Sequence, residues 1–247
     1  MKNIGLTFLV AMWALTPTLG KAAEGESIMI HGGANPAAMP CISCHAADGK
    51  GMPSAGFPRL SGLPAPYIEK QLYNFRSGAR GNAVMQPIAK ALTDEEIKQV
   101  ATAYSNRPKV NVSHPNNINP VRGSGAWIAL RGEWSKNIPE CTLCHGPDGV
   151  GVGDAFPPLA GQSPMYLESQ LNAWKEQKVI STAKGKSINL PATRRNDPNH
   201  LMQHIAESLT ETQIKAVSEY FGSLGDSTEP FDESQHRLRY NFLENYL

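Results

Sequence analysis

The sequence has few aromatic residues and almost no net charge. Phe, Trp and Tyr make up 7% of its 247 residues, and the formal net charge at pH 7 is +1. A chain that binds nucleic acid would show a clustered basic excess, so we expect no nucleic-acid partner. The length is generous for one small domain and sufficient for two.

Long hydrophobic runs are also lacking, apart from one at the N-terminus. Lys2 precedes an apolar run over residues 4–15, and Gly20 and Ala22 follow as small residues suited to cleavage. This run is shorter than the roughly 20 residues that a membrane-spanning helix needs. The pattern predicts a signal peptide over residues 1–22, with an uncleaved membrane anchor as the alternative. We therefore expect a periplasmic protein whose mature chain is soluble and reaches a membrane only through a partner.

Cysteine is scarce, and its positions are informative. All four cysteines lie in two Cys-x-x-Cys-His segments, residues 41–45 and 141–145. An even number of cysteines in an exported protein usually indicates disulfides. The adjacent histidines argue instead for covalent attachment of c-type haem, with the histidine lying under the iron. The predicted attachment residues are Cys41, Cys44, Cys141 and Cys144, and the predicted iron ligands beside them are His45 and His145.

The chain repeats itself around these segments. Residues 41–51 match residues 141–151, and the similarity continues through three further pairs of segments. These pairs are residues 57–60 with 156–159, 67–75 with 166–174, and 85–89 with 202–206. Repetition of one unit predicts two tandem domains of the same fold.

We expect an all-α fold in which each domain wraps around one covalently bound haem. Thr93 with Glu96, and Thr210 with Gln213, predict a capped final helix in each repeat. The expected organisation is a signal peptide (1–22), domain 1 (23–109), a linker (110–122), domain 2 (123–225) and a C-terminal tail (226–247). Because each domain is small, the haem should supply much of its core, and folding should depend on haem attachment.

A six-coordinate haem iron needs a second axial ligand, for which Met and His are the usual residues. Met85 and Met202 occupy matched positions just before the final helix of each repeat, so we predict that they are these ligands. An isolated Met more often fills a core, but a matched pair argues against that role. His200 and His204 flank Met202, and either of them is an alternative ligand.

A proline follows each haem-binding segment at a matched position. An axial histidine usually donates its second ring N–H to a carbonyl or carboxylate, which fixes the ring and its basicity. Pro58 and Pro157 are placed to offer their backbone carbonyls for this purpose. We therefore predict that they orient the two histidines, a role compatible with that of a plain turn proline.

These segments resemble the class I cytochromes c, and their duplication is similar to the dihaem cytochromes of the c-four type. The resemblance covers roughly residues 25–225 and is carried by Cys-x-x-Cys-His-x-x-Asp-Gly, Phe-Pro-x-Leu, Tyr-x-x-x-Gln-Leu and Met-Gln-x-Ile-Ala. It implies two tandem class I cytochrome c domains, two covalently attached c haems and His/Met ligation. It also implies a periplasmic location and electron delivery, often to a terminal oxidase.

Three functions are compatible with this pattern. The leading hypothesis is a one-electron carrier in a periplasmic respiratory chain, exchanging electrons with a terminal oxidase, a quinol-oxidising complex or a dehydrogenase. The alternative is a cytochrome c subunit of a periplasmic dehydrogenase complex, with the tail at 226–247 docked on the partner. An enzyme such as a dihaem peroxidase or a thiosulfate-oxidising cytochrome would need an open or unusually ligated iron. A methionine candidate in both repeats argues against that third function.

The second repeat carries an insertion over residues 179–199. Its basic residues outnumber its single acidic residue, Asp197; they are Lys184, Lys186, Arg194 and Arg195. We predict that this basic loop lies near the haem edge and steers an acidic redox partner. A loop that is merely solvated is the alternative.

Overall fold

The computed structural model describes residues 18–112, 119–175, 177–181, 186–190 and 192–225. Most of the predicted signal peptide, the middle of the predicted linker and the predicted C-terminal tail lie outside these ranges. Within them, no helix is both long enough and apolar enough to cross a membrane.

The described residues form two successive sets of five helices and one hairpin. The first set is α1 (Thr18–His31), α2 (Ile42–His45), α3 (Ala65–Ser77), α4 (Met85–Ala91) and α5 (Asp94–Ser105). The second set is α6 (Gly125–Arg131), α7 (Cys141–His145), α8 (Pro164–Trp174), α9 (Leu201–Ser208) and α10 (Glu211–Ser223). The strands β1 (Gln177–Ser181) and β2 (Lys186–Leu190) lie between α8 and α9. The repeated order of helices confirms the predicted all-α class with two tandem domains.

The last helix of each domain begins at a capping box. The Thr93 hydroxyl accepts the Glu96 N–H at 3.2 Å, and the Glu96 carboxylate accepts the Thr93 N–H at 2.7 Å. Thr210 and Gln213 form the same reciprocal pair at α10, at 3.2 and 3.0 Å. These bonds satisfy N–H groups that have no partner inside the helix. Both predicted helix starts are confirmed.

The first helix of each domain crosses the last helix at close range. A Cβ atom on Gly25 of α1 would collide with the carbonyl oxygen of Gln99 in α5. In domain 2, a Cβ atom on Gly125 of α6 would collide with the carbonyl oxygen of Ala216 in α10. The two glycines therefore let the helix backbones touch directly.

Each domain has its own hydrophobic core. Ile97 of α5 is fully buried in the first core, and Ile214 occupies the equivalent fully buried position of α10 in the second. Cys41 packs against the first core and Cys141 against the second. The haem-binding segments are thus attached to the apolar interior of their domains.

A hairpin occupies most of the insertion in the second repeat. Its strands β1 and β2 pair antiparallel, with Gln177 opposite Leu190 and Ser181 opposite Lys186. The hairpin is a local addition to an otherwise helical domain, and it has no counterpart between α3 and α4 of domain 1.

Polar contacts join the two domains across an interdomain seam. The Arg59 N–H donates to Gln162 Oε1 at 2.8 Å, and Gln162 Nε2 donates to the Arg59 carbonyl oxygen at 3.0 Å. The Ser163 hydroxyl donates to the carbonyl oxygen of Pro53 at 3.1 Å. Because Arg59 and Gln162 are both buried, these bonds form without competition from water.

The insertion returns into this seam at its C-terminal end. The Arg195 N–H donates to the carbonyl oxygen of Ala79 at 2.7 Å, and the neighbouring Arg194 is only 7% exposed. A buried arginine cannot present its charge to a partner, so the prediction of a partner-steering role is wrong for Arg194. Arg195 is exposed, and the side chains of Lys184 and Lys186 lie outside the part of the chain that the structure describes.

Candidate haem sites

Each Cys-x-x-Cys-His segment forms a short helix that ends on a buried histidine. His45 closes α2 and His145 closes α7, and they are 7% and 8% exposed. His45 Nδ1 lies 2.9 Å from the carbonyl oxygen of Pro58, and His145 Nδ1 lies 2.8 Å from that of Pro157. A carbonyl oxygen only accepts, so Nδ1 carries the hydrogen in both rings. The Nε2 lone pair is then left for a metal ion.

Burial sets the protonation state of these segments. It lowers the pKa of His45 and of His145, and the proline carbonyl opposes this with a smaller effect. Both rings are therefore neutral at pH 7, which is the form of imidazole that binds metals. Burial also raises the pKa of the Cys41 thiol to about 11 and that of the Cys141 thiol to about 12.

Glycines shape the loop that carries each proline carbonyl. Gly51 has a φ of 79°, and its N–H donates to the His45 carbonyl oxygen at 3.0 Å. A Cβ atom on Gly51 would lie 2.7 Å from the Pro58 carbonyl oxygen. Gly151 repeats the arrangement, with a φ of 85° and a 2.6 Å bond to the His145 carbonyl oxygen. Glycine adopts this left-handed conformation without strain and leaves room for the carbonyl.

The two candidate methionines lie at the start of the short helix that precedes the final helix. Met85 is the first residue of α4 and packs, partly buried, against the first core. Its N–H donates to Asn82 Oδ1 at 2.8 Å, which fixes the start of the helix. Met202 is the second residue of α9 and is also half-buried.

The alternative histidine ligands are less well placed. His200 and His204 are both exposed, and His200 Nδ1 lies 2.8 Å from Gln203 Oε1. A ligand to a buried iron has to face the interior, so this geometry favours Met202 over its neighbours.

Two buried donors test whether these residues fit a haem. Asn74 Nδ2 in α3 and Trp174 Nε1 at the end of α8 have no hydrogen-bond acceptor among the described residues. Buried donors are nearly always paired, so each of these two donors lacks an acceptor that a bound group could supply. A haem brings two carboxylates on a large apolar ring. The unpaired donors and the four cysteines, none of which forms a disulfide in the structure, therefore fit one haem per domain.

Comparison with known proteins identifies the family. The family model described as Cytochrome c matches residues 31–102 and 136–225, one stretch in each domain. The chain belongs to the cytochrome c family. The first stretch contains all of α3 and most of α5, and the second contains all of α8 and α10.

Three similar proteins narrow this assignment. A protein named Thiosulfate dehydrogenase electron acceptor, from Stutzerimonas stutzeri, is 51% identical over 91% of this chain and 97% of its own length. Cytochrome c4 from Pseudomonas aeruginosa is 30% identical over 90% of this chain and 97% of its own length. The solved structure of Thiosulfate dehydrogenase (TsdBA) from Marichromatium purpuratum matches with a TM-score of 0.65 and 34% identity. That match covers 82% of this chain and 40% of the other.

This cytochrome is thus a class I, c4-like protein with two covalently attached c haems, and it carries electrons rather than catalysing a reaction of its own. The predicted family, cofactor and general function are confirmed. The sequence pattern does not indicate Asn74 or Trp174, the two unpaired buried donors.

Proposed function

We propose that this cytochrome accepts electrons, one at a time, from a thiosulfate dehydrogenase. The observation that carries the proposal is the near full-length similarity to a protein named as the electron acceptor of that enzyme. A second observation supports it. In the Marichromatium purpuratum structure, a region like this chain makes up two fifths of a chain that is called a thiosulfate dehydrogenase.

The proposed roles of the site residues follow from the repeat and from the geometry above. Thioether bonds to the haems form at Cys41, Cys44, Cys141 and Cys144. The axial pairs are His45 with Met85 and His145 with Met202. A bound haem supplies a one-electron couple, and an axial methionine raises its potential. Burial keeps each histidine neutral, and the carbonyls of Pro58 and Pro157 orient the two rings.

The proposed organisation is a signal peptide (1–22), cytochrome domains over 23–109 and 123–225, a linker (110–122) and a tail (226–247). Export to the periplasm follows from this signal peptide, whose apolar run is too short to span a bilayer. Covalent haem attachment is in keeping with that compartment. Delivery of the electrons to a terminal oxidase, or exchange with a quinol-oxidising complex, stays a prediction from the family resemblance.

The test is reduction of the purified oxidised cytochrome by thiosulfate in the presence of a catalytic amount of thiosulfate dehydrogenase, without oxygen. Haem absorbance should change to the reduced spectrum at both haems. Omitting the enzyme, or omitting thiosulfate, should leave the cytochrome oxidised. Reduction no faster than that of an unrelated small cytochrome c of similar potential would contradict the proposal.

A stable subunit of the dehydrogenase is the second candidate, because the similar region of the Marichromatium purpuratum protein shares a chain with the rest of that enzyme. Size-exclusion chromatography of a native extract distinguishes the two. A mobile carrier elutes at the size of one mature chain or of its own oligomers. A subunit elutes together with thiosulfate-oxidising activity.

A further inference from the structure

Two arginines lie buried at equivalent positions in the interdomain seam. Arg80 is 6% exposed and Arg194 is 7% exposed. The Arg80 N–H donates to the carbonyl oxygen of Asn74 at 3.0 Å, and the Arg194 N–H donates to that of Ala173 at 2.9 Å. Asn74 and Ala173 are matched residues of the repeat, so the hairpin inserted before Arg194 leaves its position unchanged.

Each guanidinium is bonded to two glutamines, one from each domain. Gln71 Oε1 accepts from Arg80 Nη1 at 2.9 Å and from Arg194 Nη2 at 3.4 Å. Gln170 Oε1 accepts from Arg194 Nη1 at 3.0 Å and from Arg80 Nη2 at 2.6 Å. Both guanidinium groups are therefore fixed at the seam by hydrogen bonds to both domains. We call Arg80 and Arg194 the arginine pair.

The other polar neighbours of the arginine pair are tyrosine hydroxyls and an amide, among them Tyr67 and Asn196 beside Arg194. Arg80 lies 4.4 Å from the centre of the Phe75 ring and donates to the Tyr166 hydroxyl at 2.7 Å. Arg194 lies 3.8 Å from the centre of the Trp174 ring. Among the described residues, no Asp or Glu contacts either guanidinium.

Burying two like charges side by side without an acid is costly. The pKa of Arg194 is lowered to about 10, mainly by burial and to a smaller extent by the charge of Arg80. Arg194 still carries its charge at pH 7, because that pKa lies well above neutral, and an ordinary guanidinium is not deprotonated in proteins. The chain thus keeps two positive charges inside its structure, where they act on their surroundings with little screening by solvent.

We propose that the arginine pair raises the reduction potential of both haems. Reduction adds one negative charge to a haem, so a fixed positive charge nearby stabilises the reduced form. Arg80 precedes Met85 by five residues and Arg194 precedes Met202 by eight, so each arginine lies on the segment that leads to a proposed axial ligand. This step rests on the ligand assignment given above. Because each guanidinium is bonded to a glutamine of either domain, both charges lie at the seam, and we expect either arginine to act on both haems.

The test is a spectroelectrochemical titration of the haem-loaded chain alone, with the two haems resolved by their NMR methyl signals. Arg80→Gln and Arg194→Gln should each lower the equilibrium constant for reduction about tenfold, or about 59 mV, at both haems. Gln71→Glu keeps both arginines and the side-chain shape while adding a negative charge, so it should lower both potentials even if the arginine variants fold poorly.

Two control variants separate charge from packing. Arg80→Lys keeps the charge, and Arg195→Gln removes an exposed charge next to Arg194; both should stay near the parent potentials. The proposal is overturned if the potential changes only at the haem of the substituted domain or at neither haem. It is also overturned if Arg80→Lys lowers the potentials as much as Arg80→Gln does. The titration needs no thiosulfate dehydrogenase, so its outcome is independent of the proposed partner. If the parent protein lacks the spectrum of a methionine-ligated haem, the ligand assignment is wrong.

Discussion

The residue after each haem-binding histidine has a backbone conformation that suits glycine alone. Ala46 has a φ of 61° and a ψ of 158°, and Gly146 has a φ of 79° and a ψ of 166° at the matched position. An alanine is strained in this region. At this position domain 1 therefore carries a residue that its own fold disfavours, whereas domain 2 carries glycine.

Ala46→Gly should stabilise domain 1 by about 1 kcal/mol, because relief of strain exceeds the extra flexibility of glycine in the unfolded chain. Gly146→Ala should destabilise domain 2, since its Cβ would also lie 2.8 Å from the Gly151 carbonyl oxygen. Guanidinium unfolding of the haem-loaded protein measures both. An unchanged or lower midpoint for Ala46→Gly would show that the strain is absent.

The axial assignment makes a second prediction at this scale. Met85→Ala and Met202→Ala should each open one iron, so that the reduced chain binds one carbon monoxide and the potential of that haem falls. Met39→Ala is the matched control, because Met39 is 53% exposed and has no partner in the second repeat. If either variant keeps the parent spectrum and potential, the assigned methionine is not a ligand.

Some contacts and conformations of single residues can be predicted from the sequence, and others cannot. The approach of His45 to Pro58, and of His145 to Pro157, is foreseeable because both lie in matched segments of the repeat. The strain at Ala46 is hidden because only one repeat has glycine there. The equivalence of Arg80 and Arg194 is hidden by the inserted hairpin, and only their shared backbone contacts reveal it.

Among the helices, the close crossings of α1 with α5 and of α6 with α10 depend on one glycine each. Gly125→Ala should destabilise domain 2 by about 1–3 kcal/mol, because the new Cβ meets a backbone oxygen that cannot rotate away. Thermal and guanidinium unfolding measure the effect. Lys215→Ala, at an exposed position of α10, is the control and should change stability little. Equal stability of the two variants would mean that the helices can separate at no cost.

Helix starts and the hairpin show what local sequence can specify. The capping boxes at α5 and α10 are predictable because two residues, three positions apart, decide each of them. The hairpin of β1 and β2 is not, because its strands are short and each depends on pairing with the other. The insertion therefore reads as a loop in the sequence, and two of its four basic residues, Arg194 and Arg195, turn out to lie in or beside the seam.

On the scale of the whole molecule, the repeat predicts two domains but not how they meet. The seam joins Arg59 to Gln162 and Arg80 to Gln170, residues about a hundred positions apart. Arg59 has no arginine at its aligned position in repeat 2, and the inserted hairpin hides the match between Arg80 and Arg194, so comparison of the two halves gives no hint of these contacts. The seam nevertheless places a buried arginine from each domain beside the other domain.

The central claim is that one chain holds two one-electron centres, both bound covalently. A coulometric titration of the purified haem-loaded chain tests this most directly. It should take up two electrons per chain in one-electron steps. After acid–acetone extraction of the unfolded protein, the pyridine haemochrome assay should still find two haems per polypeptide. One electron per chain, or haem that leaves the polypeptide on acid–acetone extraction, would contradict the account.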